Sequence, residues 1–92
     1  MIIKIDPALA KPPVPQSVTM RQARLALLGA GLLDQVDAAI AAMPSPERSA
    51  AAIEWEYAQT VDRHSPFTQQ LASGLGLNSD QLDALFTQAS GL

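Results

Sequence analysis

The stretch VTMRQARLALLGAGLLDQVDAAI, residues 18–40, decides how this chain folds. Its apolar run from Leu25 to Leu33 carries Gly29 and Gly31 near its end and stands behind Arg21 and Arg24. Three structures compete for such a run: a membrane span, a DNA-reading helix-turn-helix, and a piece of core. The run is about half of the roughly 20 residues that a spanning helix needs, so the membrane reading fails. Helix punctuation accounts for the rest. Thr19 is a favourable N-cap and Gln22 stands at the capping-box position, which predicts a helix from Met20 to about Ala30. Gly31 suits a left-handed C-terminal cap. The apolar pattern restarts at Leu32, with Leu32, Leu33, Val36, Ile40 and Met43 inside an arc of about 100°. Two helices meeting at a glycine corner are expected.

The same punctuation recurs downstream. In PSPE, residues 44–47, Ser45 is the expected cap and Pro46 the first helical residue of a third helix that should reach His64. In HSPF, residues 64–67, Ser65 caps and Pro66 leads a fourth helix through Leu71 and Leu75, which Gly74 and Gly76 end. Asn78 and Gln81 form a second capping box, with Leu77 and Leu82 at the spacing of a hydrophobic staple. Leu82, Leu85, Phe86 and Ala89 then supply the inward face of the last helix.

Upstream the composition changes. Pro7, Pro12, Pro13 and Pro15 crowd the start of the chain, so PALAKPPVPQSV reads as extended. The segment MIIKI before it favours β structure and has no evident partner in a helical body. The expected fold is therefore all-α: a compact bundle of about five short helices in residues 17–92, behind an extended, proline-rich N-terminal arm, residues 1–16. The 92 residues suffice for one domain with a modest core.

Charge and residue chemistry exclude more than they assign. The arm, with Lys4, Lys11 and Asp6, is net positive, whereas the body sets four arginines against eight acids. Such a body does not seek phosphate backbones. There is no cysteine, which excludes disulfides and thiolate metal sites and is compatible with a reducing cytoplasm. The start MIIKIDPALAKPP lacks the apolar core and cleavage site of a secretory signal. GAGLLDQ and GLGLNSD have no Lys-Ser/Thr ending and no preceding strand, so they read as helix stops rather than phosphate cradles. NSDQLDALF lacks the glycine and terminal glutamate of a calcium loop. His64 is the single histidine and is expected to close the third helix, where a cation suits the dipole. Nothing marks an oxyanion site or an orienting acid for Ser65 beside it. No catalytic residue, cofactor or metal is expected, and the protein reads as a non-enzyme.

Three side chains in the body are singled out. On a third helix anchored at Ile53, an apolar arc takes in Tyr57, Ala50, Val61 and Ala58 and also includes Glu54. Arg24 sits in the apolar arc of the first helix, so an Arg24–Glu54 structural pair is expected, against the alternative that Arg24 only lays its stem on the core. Trp55 falls at the edge of the same arc and is the candidate contact anchor, with core packing as its alternative. Ile2, Ile3 and Ile5 are the candidate contacts of the arm, through which a protein partner or a second copy would attach by strand addition.

Residues 18–40, followed by IEWEYAQTVDRHSPFTQQLASGLGLNSDQLDALF at 53–86, resemble small proteins of unassigned activity encoded in tailed-phage and prophage genomes near tail or tail-fibre genes. Their pattern opens on TxRQARLAL, turns at GLLD, carries a WEY helix and a charged-Ser/Asn-Pro joint, and finishes on GLTDxQLDxLF. Thr19, Arg21 to Leu27, Gly31 to Asp34, Trp55 to Tyr57, Pro66, and Leu82 to Phe86 carry the similarity, which spans about residues 17–90 and leaves the arm unmatched. The resemblance implies a phage origin and a small helical fold, and no activity. The expected function is a non-catalytic accessory module of a phage tail, either a virion component or an assembly factor. It would act in the host cytoplasm during assembly or in the virion, with a tail or tail-fibre protein or its own copies as partner, and without nucleic acid or membrane. The alternative is a small DNA-binding regulator using the first two helices, for which Asp34, Gln35 and Asp37 at the start of the second helix are poor phosphate neighbours.

Overall fold

A computed structural model describes residues 14–92. Ile2, Ile3 and Ile5, and with them most of the arm, lie outside the described residues. In chain order the elements are strand β1 (Ser17–Thr19), helix α1 (Met20–Gly29), a 3₁₀ turn (Leu33–Gln35), α2 (Val36–Ala41), α3 (Glu47–Tyr57), strand β2 (Thr60–Asp62), α4 (Pro66–Gly74) and α5 (Ser79–Ser90). The domain is mostly helical, as expected, but it also holds a small two-stranded sheet.

Local signals behave as read. Thr19 and Gln22 close a capping box on α1, and Asn78 and Gln81 close another on α5. Ser65 caps α4 with Pro66 in its first turn. The glycine corner after α1 has the hydrogen bonds of a Schellman motif: Leu32 N–H donates to Leu27 O at 2.9 Å and Gly31 N–H to Leu28 O at 3.1 Å. Gly31 holds φ +74°, in the left-handed region. The end of α4 repeats the motif around Gly76, with Leu77 N–H donating to Ala72 O at 2.9 Å.

Three expectations are corrected. The second helix does not restart at Leu32; a 3₁₀ turn intervenes and α2 begins at Val36. Ser45 does not cap α3, because the helix begins one residue later, with Pro46 in the cap position and no side-chain cap hydrogen bond. Nor does the third helix reach His64. It stops at Tyr57, Ala58 turns to an extended backbone, and Thr60–Asp62 pairs antiparallel with Ser17–Thr19. Val18 and Val61 face each other in the register, both buried, so the pair is held by apolar burial as well as by its ladder. Backbone bonds from Met20 to Gln59 O and from Arg63 to Gln16 O extend the ladder at both ends.

The core lies between this hairpin-like pair and the helices. Ala26 and Leu27 of α1, Val36 and Ile40 of α2, Trp55 of α3, Phe67 and Leu71 of α4, and Leu82 and Phe86 of α5 are all buried in it. Small residues set the closest approach: a Cβ on Gly74 would stand 3.1 Å from the Ala39 Cβ, so α4 meets α2 almost backbone to side chain.

Candidate interaction surface

Helix α3 positions the residues that matter most. Ala51 and Trp55 are its buried residues, one turn apart, so positions about 160° away point to solvent. Ile53 and Tyr57 are those positions, 58% and 79% exposed. Arranging α3 on Ile53 therefore selects the wrong face. Two members of that arc, Ala58 and Val61, lie beyond the helix end altogether.

This orientation corrects two site expectations. Trp55 is not a surface anchor; it is 7% exposed and belongs to the core. The Arg24–Glu54 pair does not form. Glu54 is exposed, while the Arg24 guanidinium stacks over the Trp55 ring with its carbon 4.0 Å from the ring centroid and donates from Nη2 to the Trp55 carbonyl at 2.5 Å. The aromatic face and a backbone oxygen near the end of α3 satisfy the cation that the carboxylate was expected to hold.

A buried cation went unread in the sequence. Arg63, 4% exposed, donates from Nε to Asp83 at 2.6 Å and from Nη2 to Ser79 Oγ at 3.1 Å, tying the end of β2 to α5. Its carbonyl accepts from Gln69 Nε2 at 2.9 Å. The signal was alternation: in a strand through Val61, Arg63 falls on the same inward face. His64, expected to close the third helix, stands exposed in the turn after β2.

Two concavities accompany these residues. A cavity of about 60 Å³ inside the core is lined almost wholly by apolar side chains, among them Ala23, Ala26, Phe67 and Leu71. A wider groove of about 590 Å³ runs between α2 and α4, over Ala39, Met43, Gln69, Gln70 and Ser73, with Glu47 at its margin. Among the described residues no group of His, Cys, Asp and Glu is placed to hold a metal ion, and no helix is long and apolar enough to cross a membrane.

What remains is the outer face of α3. Ile53 and Tyr57 lie one turn apart on it, with the exposed Ala50 preceding them and the exposed carboxylates of Glu54 and Glu56 on either flank. Leu28 on α1 and Leu92 are also exposed, but each is a single apolar side chain at an element end. Among the described residues the surface charge is one-sided: Arg24 and Arg63 are engaged within the fold, leaving Arg21 and Arg48 exposed against Asp34, Asp37, Glu54, Glu56, Asp62 and Asp80. No protein-family model, curated protein or solved structure matches the chain.

Proposed function

We propose that this protein is a non-catalytic interaction module that binds a protein partner through the outer face of α3, as an accessory of a phage tail. The observation that carries the reading is the pair Ile53 and Tyr57, two large side chains left in water one turn apart on a single helix. An exposed tyrosine with an aliphatic neighbour offers a contact anchor of large area at low entropic cost. The flanking glutamates favour a partner surface that is apolar with basic edges. The tail assignment rests on the sequence pattern across residues 17–90, and the role is that of a virion component or an assembly factor working in the host cytoplasm.

The double substitution Ile53→Ser with Tyr57→Ser, introduced into the producing phage or prophage, tests this. Mass spectrometry of purified virions and of the producing lysate is expected to show the wild-type chain either at fixed stoichiometry in particles or in the lysate alone. The variant is expected to be lost from particles in the first case and to lower particle yield in the second. A folded variant that leaves both quantities unchanged removes the reading. For the DNA-binding alternative, retention on DNA that weakens with salt is the expected signature. The acids at the start of the 3₁₀ turn and α2, Asp34 and Asp37, are exposed where phosphates would have to approach.

A further inference from the structure

Three buried alanines from three helices, Ala26 on α1, Ala72 on α4 and Ala89 on α5, line one part of the core, and each side chain ends at Cβ. The space they leave is the cavity of about 60 Å³, bounded elsewhere by larger side chains that include Phe67, Leu71 and Phe86. Close-packed interiors hold few cavities larger than a water molecule, and such a cavity takes water only where roughly two to four polar groups receive it. Thr68 brings the only hydroxyl among the lining side chains. Its Oγ1 already donates to the Asp62 carbonyl and lies 3.0 Å from Ser65 Oγ. Among the described residues no buried side-chain nitrogen or oxygen is left without a partner. The walls therefore offer a water no side chain to hold it, and their carbon atoms lack the neighbours that close packing would supply.

We infer that this cavity is a binding site for a small apolar guest, a xenon-sized atom or a short hydrocarbon. Size sets the class. An apolar cavity of about 150 Å³ holds the six carbons of benzene, so one of about 60 Å³ holds, in proportion, about two or three. The guest sheds its hydration and gains dispersion contacts with walls that are already formed, and no polar group is desolvated on either side. Ala23 on α1, Leu75 and Leu77 between α4 and α5, and Leu85 on α5 are half-buried lining residues, so the wall reaches solvent there. Rotamer motion of the three leucines gives a guest its entry. Of α3 only Trp55 reaches the wall, which separates this site from the outer face carrying Ile53 and Tyr57.

Methyl spectra of the ¹³C-labelled full chain, recorded under rising xenon pressure, test this. The expected result is a saturable shift of the Ala26, Leu71, Ala72 and Ala89 methyls. Those of Val36, Ile40 and Ala51, buried in the same core but off the cavity wall, should stay in place. Benzene, which is too large, should shift neither set. Ala26→Val and Ala89→Val each add methyl carbons at the wall, and each is expected to abolish the xenon response. Because the two changes sit on different helices, one can be read if the other overpacks the core. A wild-type shift that grows linearly with pressure, or that spreads equally over both sets of methyls, overturns the inference. So does a long-lived water found by cross-relaxation at the Ala26 or Leu71 methyls, a saturable response to benzene, or a xenon response that survives in a folded valine variant.

Discussion

At the scale of single residues, half-buried Arg24 and buried Arg63 show what a cation drawn into the fold needs. Arg24 is served by an aromatic ring and a carbonyl, Arg63 by a carboxylate and a hydroxyl. Arg24→Met is expected to cost about 1–3 kcal/mol in urea unfolding, because a charge-assisted hydrogen bond and a ring contact are lost together. Glu54→Gln should stay within about 0.5 kcal/mol. The two changes should add in the double variant, since the side chains share no partner. Asp83→Ala strands the Arg63 charge beside Ser79 alone, with an expected loss of about 1.5–3 kcal/mol. Gly31 gives the cleanest backbone test. No atom lies within 4 Å of a Cβ added there, so the cost of Gly31→Val, above about 1 kcal/mol, is conformational strain without a clash. Gly29→Ala, whose Cβ would meet only Gln88 Nε2 at 3.6 Å, should be neutral or stabilising.

At the scale of elements, the caps separate working signals from apparent ones. Asn78→Ala removes the acceptor for Gln81 N–H at 2.8 Å and is expected to lower stability by about 1 kcal/mol. Ser45→Ala should change the melting temperature little, because α3 starts beyond Ser45 without a side-chain cap. A melting temperature that falls equally in both variants would show that Ser45 caps after all. The difference lies in the third residue of each motif. Three residues after Asn78 stands Gln81, whose side chain returns the bond to the cap, whereas three residues after Ser45 stands Arg48, whose N–H donates to the Pro44 carbonyl at 2.9 Å. The α3 face could be read only once the helix end was known, since counting Ala58 and Val61 as helical rotates the apparent apolar side.

At the scale of the whole molecule, the β1–β2 pair joins the lead-in to α1 to the segment between α3 and α4, and Arg63 extends that tie to α5. Val61→Ala removes buried methyl groups at the centre of the pair. It is expected to cost about 1–3 kcal/mol and to shift helix content by circular dichroism and Trp55 fluorescence together. If fluorescence changes well before helix content, the strand pair is a separate unit and does not tie the helices.

By itself the sequence determined the helix starts and stops at Thr19, Gly31, Ser65, Gly76 and Asn78. It also indicated that the body is mostly helical, because capping boxes, proline at the first turn and Schellman turns close their hydrogen bonds within a few residues. Only the tertiary structure decided that Thr60–Asp62 is a strand, that Arg63 and Trp55 turn inward, and that Arg24 serves Trp55 rather than Glu54. A three-residue strand carries too little alternation to announce itself, and it forms because Val18, far away in the chain, buries against Val61. The end of α3 follows from that pairing, and with it the face that leaves Ile53 and Tyr57 in water. These choices depend on contacts between distant segments, whose free energy no local pattern contains.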